Sequence, residues 1–277
     1  MRKTGVKYLL AAAAAILVLA ACATVPLTGR HQLALVPNDT ILATSLTQYD
    51  DFLKKHKLSP NMAEAAMVKR VGTRIAGAVR NYLVKNGLAD RANDFNWEFN
   101  LVEDNTANAW CMPGGKVVVY TGILPITKTE TGLAVVMAHE IGHAVARHGN
   151  ERMSQGLMAQ LGGMALSTAL DTKPETTRQL WTAAYGLSAQ LGFLLPYSRV
   201  QESEADRLGL MFMAMAGYDP REAVAFWTRM EKNKSGKGSP EFFSTHPSDA
   251  RRIRDIQKFI PQALPYFNGK KLLLTTP

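Results

Sequence analysis

Met137-Ala-His-Glu-Ile-Gly-His-Ala-Val-Ala-Arg147 decides the reading of this chain, because it carries His139, Glu140 and His143 in the order H-E-x-x-H. On a helix, side chains four positions apart lie one above the other, so His139 and His143 present two imidazoles to one point. Two imidazoles suit zinc, which in catalytic sites takes three protein ligands and keeps a fourth position for water. Glu140, one residue along, is then placed to accept a proton from water attacking a peptide carbonyl. Leu133, Val135, Val136, Met137, Ile141 and Val145 make the segment apolar nearly all round. A helix of that kind is buried, and its few polar side chains need partners.

A third metal ligand close to the motif is excluded. Positions 146 and 149, where a metzincin has Gly and His, hold Ala146 and Gly149. His148 falls about 140° around the helix from His143, off the ligand face. It reads instead as a helix-end side chain, favourable near a C-terminal dipole. The missing ligand comes from farther along.

Working outward to the N-terminus, Arg2, Lys3 and Lys7 precede an unbroken apolar run from Tyr8 to Ala21 that ends at Cys22. A basic start and a short apolar stretch read as a secretory signal, not as a spanning helix. Leu19-Ala-Ala-Cys22 resembles the bacterial lipobox, in which the cysteine becomes the acylated first residue. The rival reading is a plain signal peptide with an incidental cysteine. Ala23, where sorting rules for an inner-membrane lipoprotein would place Asp, implies the outer membrane. Residues 1–21 carry three cations and no anion, so their loss lowers the net charge from +9 to +6. No Lys/Arg cluster with interleaved aromatics is present, which excludes nucleic acid as a partner. With Cys22 acylated, only Cys111 remains, so no intramolecular disulfide forms and a packed core must hold the fold.

The expected fold class is α+β and mainly helical, with a small sheet beside the metal helix. The expected organisation is a signal at 1–21, a lipidated tether at 22–38 and a single domain at 39–277, without repeats or a linker. Residues 39–57 and 60–86 have helical periodicity, with Gly87 as a stop. Asn96–Val102 and Lys116–Thr121 read as strands, separated by the bend Asn108-Ala-Trp-Cys-Met-Pro-Gly-Gly115. Zinc peptidases often accept substrate as an added strand, and Gly115 to Val119, with Val117 and Val119, is nominated for that role. An ordinary sheet strand is the equal alternative. Cys111 reads as a small packed residue. Residues 155–170 and 180–195 are apolar, rich in Gly, Ala, Leu and Met, and broken by Asp171-Thr-Lys-Pro-Glu175. They read as a helical hairpin, packed in the core or leaning on a membrane.

Pro196-Tyr-Ser-Arg-Val-Gln-Glu-Ser-Glu-Ala-Asp206 places Glu202 and Asp206 on one helix face. A solvated face is the ordinary reading of such a pair. After H-E-x-x-H and a second helical unit, Glu202 can complete a His₂Glu set and Asp206 can fix the tautomer of a ligand histidine. His139-Glu-Ile-Gly-His143, Ser198–Asp206, Ala216-Gly-Tyr-Asp-Pro220 and Ser244-Thr-His-Pro-Ser248 occur in that order. Together they resemble the HtpX and CAAX-prenyl-endopeptidase family of gluzincin metallopeptidases, and within it the small periplasmic lipoprotein branch. The resemblance covers nearly all of the chain after the signal. It implies zinc, one per chain, on His139, His143 and Glu202, with Glu140 as general base and Asp206 behind a ligand. Asn108-Ala and Pro113-Gly-Gly115 resemble the family's entrance to the substrate strand.

The resemblance also implies that His246 faces the metal. There it would donate to an oxyanion, or occupy the fourth metal position and hold the enzyme latent. The expected activity is zinc-dependent endopeptidase cleavage of unfolded or misassembled envelope proteins. The expected address is the periplasmic face of the outer membrane, anchored in lipid through Cys22. A latent-site lipoprotein that chaperones outer-membrane protein assembly is the alternative.

Overall fold

The computed structural model describes residues 22–190, 194–233, 242, 246 and 250–268. The signal segment 1–21 and residues 234–240, from the stretch upstream of His246, lie outside the described residues. Contacts divide the chain into two compact units: Met1–Ile41 with Arg147–Ser198, and Leu42–Ala146 with Arg199–Pro277.

In the second unit, three strands form one mixed sheet: β3 (Glu98–Val102), β4 (Ala109–Met112) and β5 (Lys116–Tyr120). Their order is β3-β5-β4, with β3 parallel and β4 antiparallel to β5. β5 is buried along its whole length, as Lys-Val-Val-Val-Tyr demands of a central strand covered on both faces. On one face, Val118 and Tyr120 pack with Val102 and with Tyr49 of α1 (Asn38–Lys55). On the other, Phe99 pairs in register with Val117 and lies so close to Gly72 of α2 (Met62–Lys85) that a Cβ there would sit 2.3 Å from its ring. The bend foreseen between two strands supplies a strand of its own: β4 pairs with β5 residue for residue from Ala109↔Val119 to Met112↔Lys116. Gly114 and Gly115 turn the chain between them at φ 89° and 86°, and a Cβ on Gly115 would come within 2.7 Å of Trp97.

After β5 come the short helix α4 (Leu124–Thr127) and the metal helix α5 (Glu130–Val145). Thr129 caps α5, its Oγ1 accepting from Gly132 N at 3.1 Å. Every residue of α5 from Gly132 onward is buried, as its all-round apolar sequence requires. α8 (Leu195–Met215) crosses it at close range. At the crossing, a Cβ on Gly209 would lie 2.9 Å from His139 N, and one on Gly142 3.0 Å from Ala205 O. Two glycines, one per helix, thus let the backbones approach more closely than any side chain would permit. α9 (Glu222–Asn233) packs on α5, and α10 (Ala250–Phe267) packs on α9.

The first unit holds the hairpin β1 (Cys22–Thr24) and β2 (His31–Leu33), then α6 (His148–Ala169) and α7 (Glu175–Ala189). α5 ends as Arg147 takes the left-handed conformation, φ 57°. His148 is fully buried and opens α6, so it begins a new helix where the sequence suggested the C-terminal end of the metal helix. No helix among the described residues is long and apolar enough to cross a membrane.

Candidate metal centre

His139 and His143 stand one turn apart on α5, and Glu202 enters from α8 at the glycine crossing. Their donor atoms converge. His139 Nε2 lies 3.1 Å from His143 Nε2 and 3.4 Å from Glu202 Oε2, and His143 Nε2 lies 3.3 Å from Glu202 Oε1. His246 brings Nδ1 to 3.2 Å from His139 Nε2 and to 3.0–3.1 Å from the Glu202 carboxylate. All four residues are buried, and their ligand atoms fall within 4.8 Å of one another.

The donor chemistry and its size both fit zinc. Zinc–nitrogen bonds of about 2.0–2.1 Å in a tetrahedron place ligand atoms roughly 3.3–3.4 Å apart, close to the 3.0–3.4 Å separations given above. Four lone-pair donors crowded into a dry core, three of them imidazoles, need a cation between them. The site binds zinc.

Behind the ligands, His139 donates from Nδ1 to Asp206 Oδ1 at 2.9 Å, which leaves its Nε2 lone pair directed at the centre. Asp206 is itself gripped by Arg252 of α10, whose Nε and Nη2 donate to its two oxygens at 2.8 Å each. The guanidinium lies flat against Trp227 of α9, 3.5 Å from the ring centroid. Arg252 Nη1 is within 3.5 Å of Glu202 as well.

The charges follow from this packing. Burial opposes the imidazolium of His139, but the Asp206 charge and the hydrogen bonds that His139 donates to Asp206 and Glu202 outweigh it and raise the group to about 9 in the metal-free chain. Burial likewise opposes ionised Asp206, and Arg252 and His139 overcome it, so the carboxyl is held below its usual range. Glu202 is held far below its usual range, against its burial, by His143, His139 and His246.

Glu140 is buried on α5 with Oε1 3.4 Å from His246 Nε2. Cys111 on β4 is near enough that the thiol, raised first by burial, is raised further by the Glu140 charge. Strand β4 therefore borders the Glu140 carboxylate.

The structure brings together His139, Glu140, His143, Glu202, Asp206 and His246. It separates the nominated substrate strand from its role. Gly115 is at the turn, and Val117 and Val119 lie in β5, hydrogen-bonded to a neighbour on each side. A strand with both edges occupied cannot accept a third, which corrects the assignment of Gly115–Val119. The sheet's edge beside α5 is β4, Ala109–Met112. Asn108 precedes it, buried, with its carbonyl accepting from Tyr120 N at 3.0 Å. Cys22 lies in the other unit, exposed in β1.

Arg252 was missed. In Arg251-Arg252-Ile-Arg254 nothing marks one basic residue from the others. Its register with Ile256, four positions on and buried like Arg252, is the signal that places it on the inner face of α10.

Two histidines one turn apart on a buried helix, a glutamate ligand from a second helix and a carboxylate beside them define the centre of a zinc metallopeptidase. The pattern of peptidase family M48 matches residues 64–260, and the chain belongs to that family. Among its relatives, mitochondrial metalloendopeptidase OMA1 of Schizosaccharomyces pombe is 40% identical over 172 residues, 62% of this chain and 49% of that protein. Metalloendopeptidase OMA1, mitochondrial, of Homo sapiens is 30% identical over 247 residues, 86% of this chain and 46% of that protein. Beta-barrel assembly-enhancing protease of Yersinia pestis is 28% identical over 200 residues, 70% of this chain and 40% of that protein. The chain thus spans about half, or less, of the length of the curated relatives it matches.

Proposed function

We propose that this chain is a zinc-dependent endopeptidase of the cell envelope, held to the periplasmic face of the outer membrane by an acylated Cys22. Its substrates on this reading are unfolded or misassembled envelope proteins. The observation that carries the activity is the buried convergence of His139, His143 and Glu202 with Glu140 beside them. The lipobox-like Leu19-Ala-Ala-Cys22 and the similarity to a bacterial beta-barrel assembly-enhancing protease support the address and the substrate class. They also favour the small lipoprotein branch of the family. The OMA1 relatives are mitochondrial by name, and that compartment is the competing one.

Zinc on His139, His143 and Glu202 supplies polarisation of the scissile carbonyl and acidification of water. The chain's own residues do the rest. Glu140 takes a proton from the attacking water and returns it to the leaving amine. Asp206 keeps His139 in the tautomer that directs Nε2 inward, and Arg252 keeps Asp206 ionised and in place. The β4 edge gives an extended substrate backbone a row of hydrogen-bonding groups, independent of its side chains. That suits substrates chosen for being unfolded.

The test pairs metal content with cleavage of a reduced, unfolded protein, for the parent and Glu140→Gln. One zinc per chain in both, with cleavage only by the parent, is the expected result. A variant that cleaves like the parent would remove Glu140 from its role.

His246 favours a second reading, of a latent state. Its Nδ1 joins the cluster as a fourth donor, and a ligand set closed by protein has no position left for water. On this reading substrate must displace His246 before the site works, and the chaperone-like alternative corresponds to the chain in its closed form. His246→Ala should then raise cleavage of short peptides. If it lowers cleavage of every substrate, His246 serves the oxyanion instead.

A further inference from the structure

The hairpin α6–α7 exposes an apolar surface that the proposed peptidase chemistry does not use. Of thirteen exposed large hydrophobic side chains among the described residues, eight belong to it: Met153, Leu157, Met158, Leu161, Met164, Leu180, Trp181 and Leu187. Leu157, Leu161 and Met164 form one stripe along α6, and Leu180 and Leu187 another along α7. Residues 153–170 and 179–190 contain no charged residue, and the hairpin's charges lie at its tip, at Asp171, Lys173, Glu175 and Arg178, and at its foot, at Glu151 and Arg152. The two helices satisfy each other only along a narrow inner face. There Tyr185 donates to Ala159 O at 2.8 Å and fills the space left by Gly162, where a Cβ would come within 2.2 Å of its hydroxyl. No residue of α7 is buried.

The same unit contains Cys22, the residue at which the proposed function attaches the chain to a membrane. The apolar run Tyr8–Ala21 ends at Cys22, and Cys22 opens β1, which pairs with β2 from Cys22↔Leu33 to Thr24↔His31. The segment around β2 is pinned to the foot of α6 by three sets of bonds. Arg30 grips Glu151 at 2.7 and 2.8 Å, Ser154 Oγ accepts from Leu35 N at 2.9 Å, and Asn150 Nδ2 donates to Val36 O at 2.9 Å. Little slack remains between Cys22 and the base of the hairpin.

We propose that the α6–α7 hairpin is a lipid-contacting surface, lying in the bilayer interface beside the Cys22 anchor. This rests on the part of the functional reading that places an anchor at Cys22. The helices do not meet the requirements for crossing a bilayer, whereas an uncharged apolar surface with an exposed Trp suits the boundary of headgroups and acyl chains. An apolar surface beside an acyl anchor adds buried area to the attachment and fixes how the unit lies on the membrane.

The test uses the full chain in vesicles of phosphatidylethanolamine and phosphatidylglycerol with brominated acyl chains, compared with Trp181→Phe. Trp181 is exposed, so its replacement does not threaten the fold. The expected result is loss of Trp181 emission to bromolipid, absent in the variant, together with protection from aqueous iodide. Leu157→Ser/Leu161→Ser/Met164→Ser should reduce that loss while zinc content is kept. Quenching by iodide and not by bromolipid would overturn the proposal, since the surface would then face water. Quenching by neither would overturn it in favour of a protein partner or a second copy. The mass of Cys22 in the same sample separates the two readings. Acylation without bromolipid quenching sinks only the hairpin contact, and quenching without acylation sinks only the anchor.

Discussion

Replacing Arg252 by Met removes one charge and five donors while keeping a side chain of similar length. Arg252 and Asp206 are both buried and joined by two parallel hydrogen bonds of 2.8 Å. Removing one partner of such a pair costs about 3–5 kcal/mol, because the other charge stays buried. The cation–π contact with Trp227, worth about 2 kcal/mol when desolvated, is lost with the charge and replaced only in part by the weaker contact of the Met sulfur with the ring. In metal-free protein at pH 7 the low end applies, since His139, held up at about 9, remains an imidazolium 2.9 Å from Asp206 and offsets part of the loss. The expected result in chelator-treated protein is therefore a loss of roughly 3 kcal/mol in urea unfolding, or about 6–12 °C in Tm for a chain of this size. Zinc affinity, measured by competition with a chromophoric chelator, should fall by about 10–100-fold as His139 loses its fixed orientation. Arg252→Lys keeps the charge without the fork and should recover only part of both. Asp206→Asn/Arg252→Met should be less damaged than Arg252→Met alone, because no charge is then stranded. If Arg252→Met unfolds within about 1 kcal/mol of the parent and binds zinc as tightly, the account of Arg252 as the support of the metal site is wrong.

Gly209→Ala carries a second expectation. On helix propensity alone it would stabilise by about 1 kcal/mol, but its Cβ would meet His139 N at 2.9 Å, so a net loss of about 1–3 kcal/mol and weaker zinc binding are expected. A gain in Tm would show that the helices are free to separate. The stability of the chelated protein should also fall with rising pH. His139 is near 9 folded and about 6.5 unfolded, so its contribution is complete below 6.5 and lost as pH climbs through 9, at most roughly 3 kcal/mol. Urea titrations of metal-free protein at pH 6, 7.5 and 9 would show it, and a parent no steeper than His139→Gln would refute it. Glu98, held below its usual range against its burial by Tyr49, Asn100 and Lys116, acts in the opposite direction. Its contribution is present above about 4.3 and lost as pH falls further, so the stability gap to Glu98→Gln should narrow between pH 5 and pH 3. Being half-exposed, it should amount to no more than about 1 kcal/mol.

The parts of this molecule legible in its sequence are those fixed by short-range geometry. H-E-x-x-H needs only a helix to bring His139 and His143 together, and Glu202 and Asp206 need only a second one. The periodicity of residues 60–86 likewise places α2 within two residues of its observed ends. The pairing of strands is different in kind. β5 is the more apolar strand and so attracted the substrate-binding role, but the property that made it conspicuous, burial on both faces, is what denies it a free edge. β4 was hidden because Trp110, Cys111 and Met112 give no alternation, and because the Pro113-Gly-Gly115 turn beside it reads as a bend. Arg252 was hidden for a similar reason: three arginines within four residues are chemically alike, and the register with Ile256 singles out Arg252 only once the inner face of α10 is known.

The packing of α5 explains why this centre needs help from so far along the chain. A helix buried from Gly132 to Val145 has no water with which to satisfy two imidazoles and a carboxylate, so each polar group must be met by protein or metal. The chain meets them in layers, with Glu202 against the imidazoles, Asp206 behind His139, Arg252 behind Asp206 and the Trp227 ring behind Arg252. Each layer comes from α8, α9 or α10, more than fifty positions from the motif it supports. The glycines at positions 142 and 209 make the first layer possible by closing the distance between backbones, and the others follow from it. A change on α10 is therefore expected to register in the chemistry on α5 without touching the substrate, and the Arg252 series separates that effect from loss of a group that acts directly.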